Sequence, residues 1–474
     1  MTTKNRYRAV LLATALVGAN IIAAPAWAQQ EAGPSETQQL REQLQALQSQ
    51  MEELKAQIAK KEQGGETSWK GAPQSSGSGF TFKVRGRIQY DVGMVTDPDN
   101  LVDGKELGID SYFRRARIGV EGAMPGDFKY KAEFDFADPE EVGYGDILIE
   151  YAPKDSPFSV KLGNMETHHS LEQMTSSRFI TFMERAQITE AFYSGRRLGG
   201  SVGYAQGDLK FDAGFFNHAI SGDRGDDSWL FGTRLVYAPK IGDNQLHFGA
   251  NYQHREFNSG SLGNRYRARP FVRSTSVRFV DTGGIGAKSD DTFGLEAAGI
   301  FGPLHAVAEY QFMKVNAISP TEQIPADDTV SGTRLADNAS FNGGYVELGY
   351  FLTGERRGYK NGAWDRTKVL NPVSKGGMGA FQVNARLDYL DLGDNVSDDS
   401  IAQYVNGGKQ IGYGLSLIWL PIDYVKFMAQ YVYVDVKDIN RGADGRGIGS
   451  RGGAVGADSN ANSHVLGLRA QIDW

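Results

Sequence analysis

From Phe80 to the terminal Trp474 the chain repeatedly alternates apolar and polar residues, and a period of two allows only strands with one dry and one wet face. In the first such segment Phe80, Phe82, Val84, Ile88 and Tyr90 share one face, and Thr81, Lys83, Arg85, Arg87, Gln89 and Asp91 share the other. The split recurs in Phe128, Tyr130, Ala132, Phe134 and Phe136 against Lys129, Lys131, Glu133 and Asp135. It returns in Leu246, Phe248, Ala250 and Tyr252 against His247, Asn251 and Gln253, and between Phe381 and Tyr389 against Gln382, Asn384, Arg386 and Asp388. A soluble sandwich has the same period with its apolar face inward, so alternation alone leaves both architectures open.

The end of the chain separates them. Leu466, Leu468, Ala470, Ile472 and the terminal Trp474 lie on one face, opposite Val465, Gly467, Arg469, Gln471 and Asp473. A last strand that closes on an aromatic residue resembles the recognition signal of outer-membrane barrels, usually Phe and here Trp. The 59 Gly, 21 Tyr and 25 Phe suit many turns, many strands and aromatic girdles. A mean hydropathy of −0.40 does not oppose this, because only every second residue of a barrel strand faces lipid. The expected fold is therefore all-β: a transmembrane antiparallel β-barrel over residues 80–474. At about 25 residues per strand and connection it has roughly 16 strands, and a lumen that wide is water-filled unless something folds into it.

The N-terminus reads differently. Lys4, Arg6 and Arg8 precede an apolar run from Ala9 to Ala24 and the triplet Ala26-Trp27-Ala28, the layout of a secretory signal peptide over residues 1–28. The alternative is an N-terminal anchor, which the short run and the processing-type triplet disfavour. In the next segment, 29–63, Leu40, Leu44, Leu47, Met51, Leu54 and Ile58 recur at spacings of four and three, an a/d seam that predicts a short coiled coil. A helix lying along a domain would show a similar stripe. Residues 64–79, rich in Gly and Ser, read as a flexible linker. There are no cysteines, which removes disulfide scaffolds and thiolate metal sites. The net charge of −7 becomes −10 when the three signal-peptide cations leave, which argues against nucleic acid as a partner.

Cations nevertheless cluster locally. Arg265, Arg267 and Arg269 fall at strand spacing and are followed by Arg273 and Arg278, with no acidic residue from Asn264 to Val280. Together with Lys83, Arg85 and Arg87 they are candidates for a positive path, and guanidinium forks match phosphate oxygens. Solvated rim arginines facing lipopolysaccharide are the alternative reading.

At this point the chain resembles the phosphate-selective porins O and P. The resemblance rests on FKVRGRIQYD at 82–91, YFRRARIGVEG at 112–122, FKYKAEFDF at 128–136 and KLGNMETHHSLEQMTSSRFITFMER at 161–185. It continues through RYRARPFVRS at 265–274, LTGE at 352–355 with YK at 359–360, and GAFQVNARLDYLDL at 379–392. It implies a homotrimer of 16-stranded barrels in the bacterial outer membrane, in contact with lipid and lipopolysaccharide. Each barrel would be narrowed by an inward third loop and lined by arginines, and would pass small anions such as phosphate by passive diffusion without a cofactor. Carried over by position, the ladder is Arg87, Arg114, Arg115, Arg185, Arg267, Arg269 and Arg273. The constriction loop is the segment 164–185, with Glu166, Gln173, Ser176, Ser177 and Arg178, and Thr175-Ser176-Ser177 as its closest match. Three positions depart from the pattern: Gln173 stands where the family has a lysine, Arg117 where it has a tyrosine, and Glu166 where an aromatic is expected. Glu166 would repel a phosphate and Arg117 would attract one.

Two rival functions differ in class. His168 and His169 beside Ser170, near Glu166 and Glu172, suggest an enzyme or a metal site, but no third partner lies at a recognisable spacing. A barrel whose coiled coil tethers the membrane to the cell wall would use residues 38–62 and need no arginines. A general porin with little selectivity remains a milder variant of the channel.

Overall fold

The computed structural model describes residues 45–53, 55, 66–69, 72–96, 107–223, 225–394, 405–437 and 460–474. Sixteen strands close into one antiparallel barrel: β1 (Phe80–Val95), β2 (Gly108–Met124), β3 (Phe128–Asp135), β4 (Gly143–Tyr151), β5 (Phe158–Glu166), β6 (Arg196–Gln206), β7 (Leu209–Phe216) and β8 (Trp229–Tyr237) form the first half. The second half is β9 (Asn244–Glu256), β10 (Ala287–Phe301), β11 (Leu304–Ala317), β12 (Ala339–Phe351), β13 (Ala380–Asp394), β14 (Val405–Ile422), β15 (Val425–Lys437) and β16 (Ala461–Asp473). The seam is closed by β16 against β1, in a register that sets Ile472 beside Ile88 and Asp473 beside Arg87. Closure leaves the barrel wall without an unpaired edge, which a lipid environment requires.

The alternation is turned inside out relative to a soluble protein. Leu295, Leu162 and Leu415 are 65%, 63% and 59% exposed on the outer wall, whereas Arg469 and Arg234 are each 2% exposed on the inner one. Arg469 grips Asp91 across the seam at 2.7 Å through two nitrogens. Outward aromatics gather at two levels. Phe128 with Tyr151, Phe158 with Tyr204, and Trp419 with Phe381 and Phe427 mark the short-turn end. Tyr90 with Phe113, Phe215 with Trp229, and Tyr252 with Phe293 mark the long-loop end. An apolar band between two aromatic belts is the profile of a barrel seated in a bilayer.

The described part of the expected linker 64–79, residues 66–69 and 72–79, is paired strand and tight turn rather than flexible chain. Glu66–Trp69 pairs with Pro73–Gly77, which in turn pairs with β1, placing Gln74 beside Lys83 and Gly77 beside Phe80. The turn into β1 is Ser78-Gly79, with φ of 50° and 81°. Two successive positive φ values are what a two-residue hairpin needs, so these small residues serve a tight turn. Residues 45–53 and 55 are helical and exposed. The rest of the expected coiled coil and the signal peptide lie outside the described residues.

Three connections fill the lumen. The loop 167–195 after β5, the loop 257–286 after β9 and the insertion 352–379 at the short-turn end contribute Leu171, Ile188, Phe192, Phe271, Phe279 and Trp364 to one buried core. The insertion carries a small hairpin, Gly358–Lys360 with Ala363–Asp365, and nothing in its hydrophobic period announces it.

Candidate functional site

The loop 167–195 is pinned against the inner wall by shape and by charge. Two inward glycines receive its side chains: a Cβ on Gly343 would stand 2.2 Å from Cγ2 of Ile188, and one on Gly467 2.2 Å from Sδ of Met183. Only a residue without a side chain allows that approach. Glu172, 3% exposed, accepts from Arg386 Nη2 (2.7 Å), from the Ala186 backbone N–H (2.8 Å) and from Thr189 Oγ1 (2.9 Å). Arg386 also donates to Glu347 through Nε and Nη2, at 3.0 and 2.8 Å. Thr181 Oγ1 donates to the same Glu347 (2.6 Å), and Lys426 Nζ to the Ile180 carbonyl (3.0 Å). The insertion reaches the loop from below: the Trp364 N–H donates to Thr175 Oγ1 (3.2 Å), and Arg357 donates to the Phe179 carbonyl (3.3 Å) while stacking on Trp364.

Beside the loop a cavity of about 370 Å³ lies open against the wall of β1 to β6. Arg87, Arg114, Arg115, Arg185, Arg273, Glu166, Gln173, Ser176, Ser177 and Arg178 all line it, whereas Arg267 and Arg269 do not. Arg87 donates to Ser177 Oγ (2.6 Å) and Ser176 Oγ (3.3 Å), and Arg178 Nε to Ser176 Oγ (3.1 Å). A serine pair therefore sits between two guanidinium groups. Arg115 donates to the neutral Gln89 (2.9 Å). Arg185 spends its donors on the carbonyls of Glu172 and Thr175 (3.1 and 2.8 Å), which braces the loop.

A continuous positive wall over 265–273 does not form. That stretch contains no acid, but the fold brings carboxylates to it from elsewhere: Arg265 pairs with Asp281 and Arg269 with Glu190 (3.6 Å). Arg114 is likewise held by Glu184 at 2.5 and 2.8 Å. The side chains of Arg267 and Arg273 have no carboxylate partner among the described residues. The constriction segment also starts later than expected, because Asn164–Glu166 still belong to β5 and the loop runs from Thr167 to Gly195. Glu166 is a wall residue, held by Arg196 (2.8 Å) and by the Gln173 amide (2.9 Å). Arg117 is committed to Glu133 and Asp135, both at 2.7 Å.

Burial and neighbours set the charge state of the loop groups. Burial would raise the Glu184 carboxyl, but Arg114 outweighs it and holds the group well below the usual carboxylate range. Glu190 is pushed up by burial and then by Glu184. Arg273 is lowered to about 10, by burial first and Arg114 second, and so stays charged at neutral pH. Burial lowers His168 and His169 to about 4, and their ring nitrogens have no partner among the described residues. Ser170 caps the helical turn Leu171–Met174, its Oγ accepting from the Gln173 N–H (3.3 Å), and this is not a nucleophile's arrangement with either ring. Lys131, Asp146, Lys161 and Arg196 also line the cavity. Lys131 was visible on the wet face of its strand, but Arg196 had no sequence signal.

A closed sixteen-stranded barrel with an apolar band between aromatic belts, a charged interior and an infolded third loop is an outer-membrane porin. A family model described as phosphate-selective porin O and P matches residues 82–471, and the chain belongs to that family. An uncharacterized protein of Caulobacter vibrioides is 35% identical over 420 residues, covering 86% of this chain and 77% of the relative. Porin O of Pseudomonas aeruginosa is 30% identical over 401 residues, covering 77% of this chain and 86% of the relative. Among solved structures, OmpT of Vibrio cholerae aligns with a TM-score of 0.49 and 11% identity, over 84% of this chain and 99% of that one.

Proposed function

We propose that this porin passes small anions of the phosphate or polyphosphate class by passive diffusion through the cavity beside the third loop, as a homotrimer. The observation that carries this reading is local charge. Ten cationic and five acidic side chains line the cavity, although the whole chain is negative. Ions respond to the groups within a Debye length of about 10 Å, so the lining counts for more than the total. Within it, Arg87, Ser176, Ser177 and Arg178 present two forks and two hydroxyls together, a donor set suited to the oxygens of a phosphate. The family's description as phosphate-selective supports the same class.

The carboxylates interleaved with these cations favour one second reading, a porin with weak selectivity. Chloride current through the purified protein, measured with added phosphate and pyrophosphate, separates the two. Block at submillimolar phosphate supports a binding site, and current indifferent to either anion supports the general porin. A trimer that resists SDS until heated is the expected assembly, and a strict monomer in mild detergent would contradict it.

A further inference from the structure

Three carboxylates on three successive wall strands face the cavity: Glu133 on β3, Asp146 on β4 and Glu166 at the end of β5. Bare, such a belt would repel the anions that the porin reading assigns to this pore. Each carboxylate is covered by a cation, but not equally well. Glu133 has Arg117 at 2.7 Å and Arg87 at 3.6 Å, and Asp146 has Lys131 at 2.6 Å and Arg196 at 2.7 Å. Glu166 has one cation among the described residues, Arg196, at 2.8 Å. Its other partners, the Gln173 amide and the Tyr193 hydroxyl (3.4 Å), are neutral.

The fold places Arg196 for this task. It is the first residue of β6, where the infolded loop rejoins the wall, and its backbone pairs in register with Glu166 itself. Nε donates to Asp146 while Nη2 stands against Glu166, so one planar guanidinium spans carboxylates from two strands. An ammonium has no such fork and would favour one carboxylate at the other's expense.

We propose that Arg196 is a specificity-determining residue of the pore: by holding Glu166 and sharing Asp146 it keeps the carboxylate belt from opposing anion passage. The assignment rests on the anion-porin reading. Its content is a charge balance: the Arg196–Glu166 pair presents no net charge to a passing ion, and Glu166 opposes anions when Arg196 is absent. Loss of Arg196 makes the net charge of the lining more negative by one unit and leaves Glu166 without a cation among the described residues. A unit charge about 5 Å from an ion changes its occupancy roughly fourfold even at the dielectric of water. After salt screening, the anion-to-cation permeability ratio should fall on the order of tenfold.

The test is the reversal potential under a KCl gradient for wild type, Arg196→Ala, Glu166→Gln, the double variant and Arg196→Lys, each as heat-modifiable folded trimer. Glu166→Gln alone should raise the permeability ratio several-fold, and Arg196→Ala should lower it about tenfold. Adding Glu166→Gln to Arg196→Ala should recover several-fold, and Arg196→Lys should fall between wild type and Arg196→Ala. If Arg196→Ala does not assemble, Arg196→Gln with and without Glu166→Gln carries the same comparison. No recovery on adding Glu166→Gln to Arg196→Ala, or an unchanged ratio in Arg196→Ala, overturns the assignment. A cation-selective wild type instead overturns the anion reading, while the shift produced by Arg196→Ala and its recovery with Glu166→Gln still decide the role of Arg196.

Discussion

Glu172→Gln should loosen the third loop without unfolding the barrel. The carboxylate ties three groups together: Arg386 on the far wall, and Ala186 and Thr189 at the other end of the loop. Stripping a buried charge pair of one partner costs about 3 to 5 kcal/mol when the survivor is left alone. Here Arg386 keeps both bonds to Glu347, and a glutamine oxygen can still accept from Ala186 or Thr189, so the loss should be nearer 2 kcal/mol. That raises the equilibrium for local opening of the loop about thirtyfold, at about tenfold per 1.4 kcal/mol. Two readouts follow it: amide exchange over residues 171–191 should accelerate by that factor, and single-channel current should become larger or noisier as the loop leaves the lumen. Exchange at the wild-type rate with unchanged current would show that the packed side chains alone hold the loop.

Three further outcomes follow from the same geometry. Arg273→Glu should lower anion preference several-fold, whereas Arg267→Glu should leave it nearly unchanged, because only Arg273 lines the cavity; similar reversal potentials for the two variants would contradict this placement. Gly467→Ala should displace Met183 and cost about 1 to 3 kcal/mol of loop stability, with Met183→Ala relieving it; exchange rates in the single and double variants are the check. His168 and His169 have folded values near 4 against an unfolded value near 6.5, so their contribution is complete above pH 6.5 and is lost as pH falls toward 4. At roughly 3 kcal/mol each, acid should expose the root of the loop to exchange over that window, and His168→Asn with His169→Gln should flatten the response.

The faces of the strands were legible because a period of two needs no knowledge of what lies opposite. Leu466, Leu468 and Ile472 are exposed, and Val465, Arg469, Gln471 and Asp473 are buried, as the alternation of the last segment implies. Partnership across the barrel was not legible. Arg269 meets Glu190 from 79 residues away and Arg114 meets Glu184 from 70, so an acid-free stretch of sequence gave no acid-free stretch of space. The insertion 352–379 escaped for another reason: three-residue strands and a single turn of 3-10 helix are too short to carry a period. Within 64–79, the described residues 66–69 and 72–79 misled because glycine and serine serve flexible chain and tight hairpin turn alike, and only strand pairing tells them apart.

The central claim is that the cavity lining sets the charge preference of the pore against the sign of the whole chain. The reversal potential of the purified wild-type trimer in a planar bilayer, under a tenfold KCl gradient at neutral pH, tests it most directly. The cationic lining predicts a potential displaced toward that of chloride, with chloride current reduced on adding phosphate. A potential displaced toward that of potassium would contradict the account, whatever any single substitution does.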